Sequence, residues 1–214
     1  MKTPQTVLIP LKSSDRIQSL DIMRGIVLFG ILLMNINGMG LARAYEDPTV
    51  SGGSTDLDLA TWITTNMFFE GTMRALFSLL FGVGMFILLD RLEKKEQTLK
   101  QQTSILDDLF GHVGLIMLFC KLPVLNLLKM SLSAVGKMAL TNYVMHSVFA
   151  MFIFTGAGFG LFGTFYRHEL LYIVFSIWLF QLIVSPLWLK YYQFGPLEWI
   201  WRNLSYQKRH PFKK

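Results

Sequence analysis

The stretch from Arg16 to Ala42, RIQSLDIMRGIVLFGILLMNINGMGLA, constrains this chain more than any other. It begins as a polar, charged ledge and turns into an almost unbroken apolar run. From Gly25 to Ala42 nothing is ionisable, and only Asn35 and Asn37 are strongly polar. That is close to the roughly 20 residues a helix needs to cross about 30 Å of hydrocarbon. A charged ledge feeding into such a run predicts an all-α integral membrane protein.

Composition supports that class. Of 214 residues, 52% are hydrophobic and only 16% charged, against about 25% charged in a soluble domain. The net charge is +6, with basic residues gathered at both ends and in one central polar segment. That placement suits the cytoplasmic face of a bilayer and not a nucleic-acid groove, so no nucleic-acid partner is expected. The single cysteine, Cys120, excludes an intramolecular disulfide and a cysteine-based metal cluster. Ala42-Arg43-Ala44 loosely resembles a signal-peptide cleavage site. The long leader, the intruding Arg24 and an apolar run beyond the usual 7–15 residues favour a retained span.

The chain divides into a cytoplasmic polar arm (1–15), an N-terminal membrane helix pair (16–89), a polar connection (90–108) and a C-terminal membrane region (109–214). The loop Arg43–Asp58 carries Glu46, Asp47, Asp56 and Asp58 with one basic residue, so it faces away from the cytoplasm. A second helical stretch runs from about Leu59 to Leu89. Leu109 to Cys120 is too short to cross. Reading it as a re-entrant or interfacial helix leaves every basic cluster inside. Met138–Phe154 is the third span, the glycines of GAGFGLFG form a turn, and Leu170–Leu189 is the fourth span. The expectation is four transmembrane helices, one short re-entrant helix, both termini cytoplasmic, and a basic amphipathic tail from Phe194. That tail suits an anionic leaflet.

Few residues can carry chemistry. Arg16, Asp21 and Arg24 sit at the membrane edge, where Asp21 and Arg24 are three apart on one helical face. They form either a capped helix with anchors or an anion site beside a helix N-terminus. Glu70 and Arg74 have ion-pair spacing and count as a binding candidate if they lie within the membrane. Thr141, Asn142 and His146 share one face of the third span with Ser147, as interhelical hydrogen-bonding groups or, for His146, as a proton relay. His168 and His210 stand in loop and tail with no partner in sight. No zinc spacing, Walker loop, dinucleotide motif or nucleophile elbow is present, and no metal is expected.

The motifs resemble a known family. RIQSLDIMRGIVLFGILLMNI is similar to the opening of the YeiB-like bacterial membrane proteins, classed as a domain of unknown function, and FFEGTMRALFSLLFGVGM to their second-helix region. GKMALTNYVMHSVF, FGLFG and LFQLIVSPLWLKYYQFGPLEWIWRNLSY resemble their C-terminal half motif by motif. The resemblance implies a multi-pass protein of the bacterial inner membrane. Such proteins are described as transport-related or as distant relatives of membrane acyltransferases, and the Arg16, Ser19, Asp21, Arg24, Gly25 pattern is shared with that wider group. Family members run longer, with further spans between the second-helix region and GKMALTNY, so this chain reads as an internally shortened member. The acyltransferase relatives place their candidate histidine in that missing middle. His146 stands where the family pattern tends to have glutamine, and with Asp21 it is a catalytic candidate of last resort.

Three functions follow as expectations: a transport-related membrane component, an acyltransferase drawing on acyl-CoA held near Arg16, Asp21 and Arg24, or a shortened non-catalytic remnant. No other cofactor is expected. The bilayer is the main partner, and a homo-oligomer would cover polar faces through close approach at Gly82 and Gly84.

Overall fold

The computed structural model describes residues 18–44, 51–53, 55–69, 73, 76, 116, 118–120, 125–207 and 209–214. Six helices are bounded within them: α1 (Gln18–Gly40), α2 (Asp56–Phe68), α3 (Asn126–Lys137), α4 (Ala139–Phe154), α5 (Arg167–Tyr191) and α6 (Pro196–Tyr206). Among the described residues there is no strand, and an isolated bridge joins Tyr192 to Lys213.

Helix α1 is the hub because it is apolar on every side. One face packs Leu32, Leu33 and Ile36 against Ala150, Phe154, Leu170 and Val174. A second sets Met23, Val27 and Ile31 against Met73, Leu76 and Ile116. A third sets Ile22, Leu28 and Phe29 against Leu132 and Val135. Burying a side chain of this size from water is worth about 1.5–3 kcal/mol, but in lipid the packing contacts themselves must hold the helices together.

The closest contact is the crossing of α1 and α3. A Cβ added at Gly136 would overlap the carbonyl oxygen of Asp21, and one at Gly25 would overlap the carbonyl of Leu132. Two glycines therefore let the backbones touch, and the order of these contacts makes α3 antiparallel to α1. Helix α5 also runs against α1: Leu170 lies by Gly40, and Trp178 stacks on Phe29 with ring centroids 5.1 Å apart. Helix α4 ends with Phe154 beside Gly40. The starts of α1 and α4 thus share one end of the bundle with the close of α3 and α5. At the other end, Gly163 N–H donates to Gly40 O at 2.8 Å. Gly160 (φ 66°) and Gly163 (φ 74°) supply left-handed conformations that let residues 155–166 turn between α4 and α5.

Helices α1 and α5 are long and apolar enough to cross a membrane, by length and composition. They point toward a membrane protein. Helix α5 is built inside out: its buried stripe is Arg167, Leu170, Val174, Ile177, Gln181 and Ser185, while Phe175, Leu179, Ile183 and Leu187 are exposed. Polar groups turned inward and an apolar outer face are what surrounding lipid demands.

Several expectations change. Among the described residues α1 and α5 are of spanning length, and α4 occupies the third expected span, from Ala139 to Phe154, with a reach of about 24 Å. The continuation of the second expected span, the connection 90–108, and most of Leu109–Cys120 lie outside the described residues. Helix α3 was not anticipated; its sequence, NLLKMSLSAVGK, is too polar and too short to stand out by hydropathy. Ser147 is exposed and does not share the buried face of Asn142 and His146, because adjacent residues on a helix point about 100° apart.

Candidate functional site: a polar seam between two helices

Asn142 and His146 are four apart on α4, and Gln181 and Ser185 are four apart on α5. Each pair forms one helix face, and because the helices are antiparallel the pairs meet in reverse order. Asn142 Nδ2 donates to Ser185 Oγ at 3.1 Å and to Val135 O of α3 at 3.1 Å. Gln181 Nε2 donates to Asn142 O at 3.1 Å, and Gln181 Oε1 lies 3.1 Å from His146 Nε2. With its amide so oriented, Gln181 offers His146 an acceptor. The His146 proton therefore sits on Nε2, leaving Nδ1 as the ring's acceptor when neutral. All four side chains are buried. Pro186, inside α5, has no N–H, so the Leu182 carbonyl has lost its helical donor one turn back.

The seam is anchored at one end by α6. Thr141, next to Asn142, donates its N–H to Glu198 Oε1 at 3.0 Å and its hydroxyl to Glu198 Oε2. The same hydroxyl accepts from Leu197 N–H at 3.2 Å. Nearby on α1, Asp21 is fully buried and Arg24 Nη1 lies 3.4 Å from its Oδ1, with Arg24 half-buried. On α3, Lys129 is buried, donates to Cys120 O at 3.2 Å and stands 5.5 Å from the Phe119 ring.

A second cluster closes the opposite end. Asp58 Oδ1 accepts from His168 N–H at 3.2 Å and faces His168 Nδ1 at 2.8 Å, while Thr55 Oγ1 donates to Oδ2 at 2.5 Å. Asp58 thereby caps the start of α5. Arg167, only 1% exposed, donates to Ser51 O at 3.1 Å, and its backbone N–H donates to Gly52 O at 2.7 Å. Burial pushes the Asp58 carboxyl up, but hydrogen bonds from Thr55 and His168 outweigh it and bring the pKa from 3.8 to about 2. His168, expected without a partner, is part of this latch. His210 likewise has company: its N–H donates to Asn203 Oδ1 at 2.9 Å and its ring meets Tyr206. Among the described residues, no group of three or more His, Cys, Asp or Glu side chains could hold a metal ion.

Residues 52–208 match the family described as "Protein of unknown function (DUF418)". The chain belongs to that family. Similar relatives include an "Uncharacterized 39.9 kDa protein in amylase 3'region" of Bacillus acidopullulyticus, 37% identical over 100 residues, which are 47% of this chain and 28% of the relative. YxaH of Bacillus subtilis (strain 168) is 37% identical over 105 residues, 49% of this chain and 26% of its own. YeiB of Escherichia coli (strain K12) is 39% identical over 84 residues, 39% of this chain and 21% of its own. The matches thus span about a quarter of the length of these relatives, and both named proteins are described as uncharacterized. No solved structure matches significantly.

For this DUF418 chain, the structure joins Asn142 and His146 in one network and pairs Asp21 with Arg24. The two groups adjoin across α3: Val135, which accepts from Asn142, immediately precedes Gly136, which packs on the Asp21 carbonyl. Arg16, Glu70 and Arg74 lie outside the described residues. Sequence reasoning passed over Glu198, Arg167, Asp58 and the partnership of Gln181 and Ser185. The last was signalled by two polar i,i+4 pairs on facing apolar helices, a match that hydropathy averaging erases.

Proposed function

We propose that this chain is a multi-pass protein of the bacterial inner membrane with a transport-related role, and that the α4–α5 seam is where a polar solute or proton is handled. The observation that carries the reading is the buried His146–Gln181 contact at 3.1 Å inside a helix pair whose outer face is apolar. A polar network at such a position is a functional candidate by default. Histidine adds a ring nitrogen that can take up and release a proton. Basic residues at the α6 end and acids around Asp56 and Asp58 favour placing the former in the cytoplasm. Proteoliposomes holding the full chain and a trapped pH dye test it. Proton movement driven by a potassium diffusion potential is expected above the empty-liposome rate and is lost in His146→Phe and Gln181→Leu. Flux equal to empty liposomes, or unchanged in both variants, overturns the proton reading; the same variants in solute-uptake assays then decide the wider one.

A second reading is a membrane acyltransferase with acyl-CoA held beside Arg24 and Asp21. It is favoured by the half-exposed guanidinium of Arg24 next to a buried carboxylate at 3.4 Å. Acyl-CoA-dependent product formation is then expected, and Arg24→Ala abolishes it. No turnover with any acyl donor removes this reading.

A further inference from the structure

Residues 190–214 carry six Lys and Arg side chains and one acid, Glu198. That acid is spent. Both of its oxygens are turned onto Thr141 of α4, the first taking the backbone N–H and the second the hydroxyl. The contact fixes α6 against the bundle and engages the one negative side chain of this region, which is half-buried. What remains outside is of two kinds. Ile200, Trp201 and Leu204 are 46%, 59% and 69% exposed, and at spacings of one and four they form a continuous apolar edge of α6. Lys190, Arg209, Lys213 and Lys214 are exposed cations beside it.

The tail is held so that these cations stay together. Gln193 N–H donates to Phe212 O at 3.0 Å, Lys214 N–H donates to Tyr191 O at 3.2 Å, and Trp199 Nε1 donates to His210 O at 2.8 Å. Trp188, Tyr192, Trp199 and Phe212 pack as one aromatic group, the closest pair 4.3 Å between centroids. The chain after α6 therefore folds back onto the end of α5, bringing residues 209–214 to the level where that apolar helix stops. Arg202 lies over the rings of Phe194 (4.8 Å) and Tyr206 (5.5 Å), and among the described residues no carboxylate pairs with it.

We infer that α6 and the folded-back tail form a seat for the anionic phospholipid surface at the membrane edge. The Ile200–Trp201–Leu204 edge sinks to the acyl boundary while Lys190, Arg202, Arg209, Lys213 and Lys214 meet headgroup phosphates. Apolar burial and charge each add to such binding. Because α6 is pinned to Thr141, which precedes Asn142, the seat is rigidly referenced to the polar seam. It does not depend on what the seam transports.

The test uses the full chain in liposomes containing brominated phosphatidylglycerol or brominated phosphatidylcholine. Tryptophan quenching that disappears in Trp201→Phe isolates the reporter. Brominated phosphatidylglycerol diluted into phosphatidylcholine is expected to quench Trp201 beyond its bulk fraction, and brominated phosphatidylcholine is not. Arg209→Gln with Lys213→Gln should lower the selectivity roughly fivefold per charge removed, with helicity unchanged. Should that variant fail to insert, high salt on the wild type provides the same comparison, since exposed charges are screened. Equal quenching by both lipids, or selectivity untouched by both the double variant and salt, overturns the inference and leaves this edge to a protein partner.

Discussion

Gly136→Leu is expected to destabilise the chain by about 3 kcal/mol or more and to leave it aggregated after detergent extraction. The Leu Cβ has no free volume, since the Asp21 carbonyl already occupies it. Overpacking a core commonly costs about 1–3 kcal/mol when side chains can shift; here the obstacle is backbone on the hub helix. Neither α1 nor α3 can retreat alone, because Gly25 meets the Leu132 carbonyl at the same crossing. Gly156→Ala is the control: nothing lies within 4 Å of its added Cβ, and a change below about 0.5 kcal/mol is expected. Size-exclusion profiles and thermal melts of the two variants should therefore diverge sharply. Similar melts would mean that α1 and α3 do not cross at these glycines.

Asp58→Ala should cost on the order of 3 kcal/mol. It removes the acceptor for His168 N–H at the start of α5, the partner of the His168 ring and the acceptor of the Thr55 hydroxyl. It also removes the negative field that the buried Arg167 feels. Loss of a cap alone is about 1 kcal/mol, and leaving a buried cation without its countercharge adds more. The same group sets a pH dependence. Its carboxyl titrates at about 2 when folded instead of at 3.8. The stabilisation is therefore complete above pH 3.8, declines as pH falls toward 2, and is gone below that. Melting temperature followed through this window should show an acid limb that Asp58→Asn flattens; an unchanged limb in that variant would assign it to other carboxylates.

The apolar hub was legible because nothing ionisable interrupts Gly25 to Ala42, and the amphipathic α6 because its charges and aromatics alternate at helical spacing. The pairing of Asp21 with Arg24 followed from their separation of three. Long-range partnerships were not legible. Asp58 and His168 are 110 residues apart, and Thr141 and Glu198 are 57 apart; nothing local in either sequence neighbourhood encodes the other. Helix α3 escaped notice for a different reason. What qualifies it for the crossing is the absence of side chains at Gly136, and small residues carry little hydropathic signal. The helix at Met138–Phe154 was legible from its apolar run: α4 covers Ala139–Phe154 and ends at the turn that begins at Thr155.

Water access to Gln181 is the measurement to make. In a Cys120→Ser background, Gln181→Cys is exposed to a membrane-impermeant thiol reagent in sealed proteoliposomes, with Leu179→Cys on the exposed apolar face of α5 as reference. If the seam handles a polar solute or proton, position 181 is labelled far faster than position 179, although the resting structure buries it. If 181 stays unlabelled while Cys at an exposed tail position reacts, the His146–Gln181 network is sealed glue between helices and the transport reading is contradicted.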